Sequence, residues 1–213
     1  MKWLERLRHA RRVSVPLVAI NTADPGATIR TVSKTLGSSN GEPVPIVTWD
    51  VCRGVMPVNE TGREVARMTG EGEDDVTIGQ PALFLQKAAD YPANTIAFLA
   101  NAQAYWDVTP MVPQGVWNLR DQYKSDRRML ILLSPDVQPP AMLKDDIVVL
   151  DESLPDDDEL RVVVQECDKS RCDAVNTDGL LSDKQLGRSV EAVRGLNAFA
   201  AEQAVAMALR KDG

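Results

Sequence analysis

The stretch Arg127 to Leu160, RRMLILLSPDVQPPAMLKDDIVVLDESLPDDDEL, decides the fold class. It holds two short apolar runs, MLILL at Met129 to Leu133 and IVVL at Ile147 to Leu150. Runs that are continuous rather than alternating are those of strands buried on both faces of a parallel sheet. The proline-rich segment between them reads as a turn with a short helix. After the second run, Leu154-Pro155-Asp156 opens a helix whose first turn, Asp157, Asp158 and Glu159, is acidic, as the helix dipole favours.

Upstream, the same signature recurs in alternation with helices. Trp3, Leu4 and Leu7 share one face of a short basic amphipathic helix whose other positions include Lys2, Arg6, Arg8, Arg11 and Arg12. Val15 to Ile20 is a first buried strand. Asp24-Pro25 starts a helix, with proline tolerated at its first turn, that carries Ile29, Val32 and Leu36 and stops at Gly37. Ser38 to Glu42 reads as a polar turn, Val44 to Val51 as the second strand and Cys52-Arg53-Gly54 as the turn after it. The region from Met56 to Gly79 is polar, acidic and rich in glycine, which predicts a surface loop with one short helix. Pro81 to Ala89 is a helix, Asn94 to Ala100 the third strand, and Val116, Leu119 and Tyr123 one side of a helix leading to the fourth strand, Met129 to Leu133. Ile147 to Leu150 is the fifth. The expected fold is α/β, a parallel sheet of about five strands with flanking helices. Residues 1–155 form that lobe and residues 156–213 a small helical lobe, with Ser182 leading one helix and Asn197 the last.

Composition excludes several function classes. With 213 residues, a net charge of −7 and a pI near 4.8, the acidic chain repels nucleic acid and anionic membrane except at local basic patches. Only 5% of residues are aromatic, too few for a base-stacking surface. Cys52, Cys167 and Cys172 are an odd set, and His9 is the sole histidine, so ligands for a metal site are scarce and reduced structural thiols are expected. No run approaches the roughly 18 apolar residues of a membrane span, and the N-terminus lacks a signal-peptide core, so a cytoplasmic location is expected.

The order of pieces resembles the two-lobed AAA+ ATPase module, an αβ core followed by a helical lid. More narrowly, the chain resembles the N-terminal, nucleotide-site-degenerate module of AAA ATPases first known as a chloroplast open reading frame and found also in cyanobacteria and phages. VPLVAINTADPGATIR (Val15 to Arg30), PIVTWDVCRGV (Pro45 to Val55), LRDQYKSDRRMLILLSP (Leu119 to Pro135), PPAMLKDDIVVLDESLPDDDEL (Pro139 to Leu160) and EAVRGLNAFAAEQAVAMAL (Glu191 to Leu209) carry the resemblance, nearly the whole chain.

A working phosphate loop, GxxxxGK[ST], needs glycines that aim N–H groups at the phosphates, a lysine for the β and γ charges and a hydroxyl for magnesium. At that place stand Thr22, Gly26 and Thr28, without the lysine. The third strand runs into Ala100-Asn101-Ala102-Gln103, which lacks the acidic pair that would hold magnesium. Ser134, Lys144 and Arg194 fall near the positions of a γ-phosphate sensor, an arginine finger and the lid arginine; a turn residue, a poor bidentate phosphate ligand and a helix boundary describe them as well. Asp156 to Glu159 serves the dipole better than a metal, because consecutive helical carboxylates point apart. Arg120, Lys124, Arg127 and Arg128 form a basic cluster that would meet phosphate, a neighbouring subunit's acidic loop or solvent.

The resemblance implies a catalytically degenerate module of a larger ATPase, acting in assembly, regulation or partner binding. Its partners would be the parent's own C-terminal ATPase module, which would carry ATP and magnesium, and other subunits of an oligomer; no cofactor is expected in this segment. Two alternatives are a nucleotide-binding ATPase with an unusual phosphate site, since a helix N-terminus can hold phosphate without lysine, and a nucleic-acid-binding module of a ring that uses the Arg6, Arg8, Arg11 and Arg12 stripe.

Overall fold

A computed structural model describes residues 3–39, 41–70, 72–175 and 180–209. In chain order the first compact unit, residues 1–152, contains α1 (Trp3–Arg12), β1 (Leu17–Asn21), α2 (Pro25–Leu36), a small hairpin β2 (Ser38–Ser39) and β3 (Glu42–Pro43), β4 (Ile46–Asp50), β5 (Gly54–Pro57), α3 (Gly62–Arg67), α4 (Pro81–Ala88), β6 (Ile96–Ala100), α5 (Met111–Ser125), β7 (Met129–Ser134) and β8 (Val148–Asp151). The second unit, residues 153–213, contains α6 (Asp157–Val175), α7 (Asp183–Val193) and α8 (Ala198–Ala208).

The main sheet has six strands in the order β5-β4-β6-β7-β1-β8, with every pair parallel except β4 and β5. Alternate residues of the central strands fill two cores. Leu17, Ala19, Leu130 and Leu132 meet Phe84, Val116, Leu119 and Tyr123 of α4 and α5. Val18, Ile20, Ile131 and Leu133 meet Leu7, Val32 and Leu36 of α1 and α2. Leu17, Ile20 and Ile131 have no exposed surface, and burying an aliphatic side chain of this size stabilises by about 1.5–3 kcal/mol.

Two sequence expectations are corrected here. The polar turn at Ser38 to Glu42 is the β2–β3 hairpin. The expected loop from Met56 to Gly79 begins inside a sixth, antiparallel edge strand, β5, and is ordered around one buried carboxylate. Asp75 Oδ2 accepts the Val55 N–H at 2.6 Å, and its Oδ1 accepts the Thr77 N–H and hydroxyl, each at 2.7 Å. Thr77 Oγ1 in turn accepts the indole N–H of Trp49 at 3.1 Å. Gly54, at φ +68°, opens the strand where a Cβ would lie 2.4 Å from Asp75 Oδ2. The acidic loop thus satisfies a backbone donor of the edge strand, which blunts that edge against pairing with another chain.

In the helical unit, Leu160, Val164, Leu186, Val190 and Val205 make the core. Ser182 and Gln185 form a capping box on α7, and Asn197 Oδ1 caps α8 through the Ala200 N–H at 2.8 Å. Buried Asp168 accepts from Arg171 at 2.8 Å and from the Leu181 N–H at 2.7 Å, tying α6 to the segment that enters α7.

Candidate functional site

β1 lies between β7 and β8, and the chain leaves β1 and β7 towards opposite faces of the sheet. After β1 it enters α2, in the core with Val32 and Leu36; after β7 it passes through Val137 and Leu143, in the other core. Such a switch point opens a crevice at the carboxyl ends of the strands, where open α/β sheets bind ligands.

At that crevice the chain's own side chains bond to one another and to backbone. Asn21 Oδ1 accepts the Val137 N–H at 2.8 Å while its Nδ2 donates to Asp151 at 2.8 Å. The Thr22 N–H donates to the Ser134 carbonyl at 3.0 Å. Thr28 is fully buried, and its Oγ1 lies 2.7 Å from both Thr22 Oγ1 and Glu152 Oε2. The Glu152 oxygen is the nearer of the acceptors facing Thr28, the Asp24 carbonyl lying at 3.0 Å, so we assign the single Thr28 proton to Glu152 and let the Thr22 hydroxyl donate to Thr28. The Asp24 N–H donates to Thr22 Oγ1 at 3.0 Å, which completes a polarised chain from backbone to carboxylate.

The positive end of α2 is likewise occupied. Asp24 is its N-cap, with Oδ1 accepting the Ala27 N–H at 2.9 Å. Gly26 has no positive φ, and a Cβ there would meet Asp24 Oδ1 at 3.4 Å and an Arg30 guanidinium nitrogen at 3.5 Å, ordinary contacts that do not demand glycine. Thr22, Gly26 and Thr28 do sit together at the start of α2, as the sequence places them. Glu152 and Arg30 were not legible as members of this group: Glu152 joins from 124 residues away, and Arg30 by its helical spacing from Gly26.

Where an acidic pair would follow β6, Asn101 takes a left-handed conformation at φ 53°, and Gln103 Oε1 accepts the Trp106 indole N–H at 3.1 Å and the Gln138 N–H at 2.7 Å. Gln103 is therefore a tie between two loops. In the helical unit, Arg194 grips Asp157 bidentately, its Nε and Nη2 donating to the two carboxylate oxygens at 2.9 and 2.6 Å, and Asp156 and Glu159 exchange backbone caps at 3.0 and 3.1 Å. The acidic run thus starts a helix. Among the described residues no cluster of three or more His, Cys, Asp or Glu side chains is placed to hold a metal, and no helix is long and apolar enough to cross a membrane.

The basic cluster does not act as one patch. Arg128 is only 5% exposed; it pairs with Asp126 at 2.7 Å, donates to the Ala89 and Tyr91 carbonyls at 2.7 and 2.9 Å, and lies over the Tyr123 ring. Its guanidinium holds loops and α5 to β7 and is withdrawn from any partner, a correction to the expected cluster. Exposed Arg127 contributes its carbonyl, which accepts from Arg11. Arg11 also donates to the Asn94 carbonyl at 2.6 Å, and being buried it does not belong to the solvent-facing stripe of α1 in which the sequence placed it. Burial first, then the charge of Arg127, pushes the Arg11 pKa down to about 10, so it stays cationic at neutral pH.

Arg120 and Lys124 stand elsewhere, on the last turns of α5 at the amino end of the sheet. There they line a groove of about 430 Å³ with Val13 to Pro16, Asp121, Asp145 and Asp146. Arg120 bridges Asp121 and Asp146, both at 3.0 Å, and lies over the Trp117 ring.

Residues 3–152 match the family model described as the SpoVK-like AAA ATPase, N-terminal domain. Among solved structures, the FIGL-1 AAA domain in complex with ADP is similar over 100% of this chain and 78% of its own, with a TM-score of 0.57 at 11% identity. Domain III of the replication initiation protein DnaA from Thermotoga maritima matches 95% of this chain and 78% of its own, with a TM-score of 0.51 at 12% identity. PCH-2 from C. elegans matches 94% of this chain and 58% of its own, with a TM-score of 0.50 at 9% identity. At these identities the likeness is one of fold. A search of curated protein sequences finds no match.

Proposed function

Because the chain belongs to the family of SpoVK-like AAA ATPase N-terminal domains, we propose that it is an ATPase-like module that neither binds nor hydrolyses nucleotide and acts instead in the assembly, regulation or partner binding of a larger AAA ATPase. The observation that carries this reading is the Thr22–Thr28–Glu152 chain beside the Asp24 cap. Two carboxylates stand at the helix end where a phosphate would need cations, and the hydroxyl that would serve magnesium is spent on Glu152. ATP and magnesium would belong to a following module of the parent, whose contacts with this one and with other subunits are its partners.

One observation favours a second reading. Arg30, exposed on α2, reaches back beside Gly26 and is a cation at the helix start, the charge that a phosphate site without lysine would use. Calorimetric titration of magnesium ATP into the purified chain decides between them. The first reading expects no saturable heat, no turnover above a no-protein control and no thermal stabilisation, whereas a ligand at 100 times its dissociation constant adds about 2.7 kcal/mol. Saturable heat that disappears in both Thr28→Ala and Arg30→Ala would establish the second.

A further inference from the structure

Helices α1 and α2 pack together and bury their apolar sides in the same core, so their polar sides face outward from one face of the sheet. Arg6, Arg8 and Arg12 on α1 are exposed, as are Arg30 and Lys34 on α2. None of the five makes an ion pair with another described residue. Arg8 and Arg12 stand four residues apart, and so do Arg30 and Lys34, so each helix presents two neighbouring cations on one stripe. Carboxylates are scarce here although the whole chain carries −7: α2 has none and α1 has only Glu5. Exposed Arg127 adds a cation beside α1, since its carbonyl accepts from Arg11 and its charge helps to lower the Arg11 pKa.

The same face lacks what other partners need. A protein partner is gripped through aromatic and apolar anchors, and a membrane-surface helix sinks an apolar face among the lipids. Neither α1 nor α2 has an exposed large apolar side chain, because Trp3, Leu4 and Ile29 are half-buried against the core. Single strands are held by stacking on aromatic rings, and Trp3 is the only Trp, Tyr or Phe of either helix. A ligand here is therefore held by charge, and every one of the five cations but Lys34 is an arginine, whose planar fork matches phosphate oxygens. The mount is firm: Leu7 has no exposed surface, and Arg11 is bonded to the Asn94 and Arg127 carbonyls.

We propose that the outward face of α1 and α2 binds the phosphate backbone of duplex nucleic acid without reading its sequence. A duplex carries one phosphate per about 1.7 Å of axis, so anions run the whole length of the ten-residue α1, about 15 Å. The acidic remainder of the chain keeps the complex weak, within the range of about 10⁻⁴ to 10⁻⁶ M of non-specific binding at physiological salt. The inference rests on the reading of the module as one that works through a partner, and names the partner's class.

Fluorescence anisotropy of a short labelled duplex tests it. The wild-type affinity is expected to fall roughly 100- to 500-fold between about 50 and 200 mM salt, as four or five phosphate contacts require, and to be equal for a shuffled sequence. Arg8→Gln with Arg12→Gln should weaken binding about tenfold or more at low salt and reduce the salt slope by about 2, whereas Arg8→Lys with Arg12→Lys should retain most of it. Arg6→Gln with Lys34→Gln should act like the first pair and carries the test if that pair does not fold, as circular dichroism melts will show. Titrations with DNA and RNA duplexes say which backbone is preferred, and binding to either supports the proposal. A wild-type chain that binds neither duplex at low salt, or binding unchanged in affinity and slope in both Gln variants, would overturn it. So would tighter binding to polyglutamate or to phosphatidylserine vesicles than to duplex, which would assign the face to an acidic protein or a membrane. Saturable ATP binding by a chain that still binds duplex through these residues would sink the functional reading and leave the surface standing; a chain that binds neither would do the reverse.

Discussion

The two ends of the sheet are built on opposite plans. At the carboxyl end, where β1, β7 and β8 finish, side chains from distant parts of the sequence are bonded to one another and to backbone: Asn21 to Val137 and Asp151, Thr28 to Thr22 and Glu152, Gln103 to Trp106 and Gln138. At the amino end the charged side chains surround an open groove, and Lys124 and Asp145 make no ion pair with another described residue. The first end is the one at which α/β sheets usually receive ligands. The difference teaches that one end of a sheet can be held by side chains bonded to one another and to backbone while the other end of the same sheet stays open.

If the carboxyl end is fastened, cutting its bonds must cost stability in proportion to their burial. The largest effect is expected at Asp75, which fastens the turn after β4. Asp75→Ala leaves the Val55 N–H, the Thr77 N–H and the Thr77 hydroxyl without their acceptor in a buried place, at roughly 1–3 kcal/mol for an unsatisfied group, so a loss of about 3 kcal/mol or more is expected in urea unfolding. Asp75→Asn keeps the acceptor oxygen for one side of the network and should lose less. A loss below about 0.5 kcal/mol, the scale of an ordinary surface substitution, would mean that the loop is not held by this carboxylate.

Thr28→Val comes next. It keeps the shape and removes the hydroxyl that links Thr22 to Glu152, for an expected loss of about 1–2 kcal/mol by urea unfolding. Glu152→Gln, which still offers an acceptor, should cost less than Thr28→Val. Were Thr28→Val neutral and accompanied by tighter ATP binding, the carboxyl end would be a ligand site in disguise and the contrast between the two ends would fail.

These two fastenings also mark where the sequence is mute. Strands β1, β6, β7 and β8 and helix α2 are legible because their signals are local: continuous apolar runs in the strands, and for α2 the start at Asp24-Pro25 with the stop at Gly37. Strand β5 escapes because GVMP is short, follows a tight turn and ends in a proline, and acquires its strand character from β4 and Asp75. The acidic loop reads as solvated because composition cannot reveal that one of its aspartates faces three donors. Arg11 and Arg128 read as surface cations because their acceptors are backbone carbonyls, which a sequence does not display. Thr22, Gly26 and Thr28 were findable from the turn between a strand and a helix, but Glu152, which decides what Thr28 does, is brought in only by the sheet order. The groove is assembled from three separated segments and has no linear trace.

The smallest effect belongs to the open end. The hydrogen bond from Arg120, followed by its charge, holds the Asp121 carboxyl below its ordinary value of 3.8. A depressed carboxylate contributes stability above that ordinary value and loses it as pH falls through the lower folded-state value, so the pH dependence that the pair adds lies in the acid limb below about pH 4, where its contribution is lost. Because both side chains are solvated, Arg120→Gln should leave neutral-pH unfolding unchanged within error while the Asp121 carboxyl titration, followed by NMR, returns to the ordinary range. The same return in wild type at high salt would show that solvent ions reach the pair. A large stability loss in Arg120→Gln at neutral pH would instead mean that the amino end is fastened as the carboxyl end is, and the contrast between the two ends would fail.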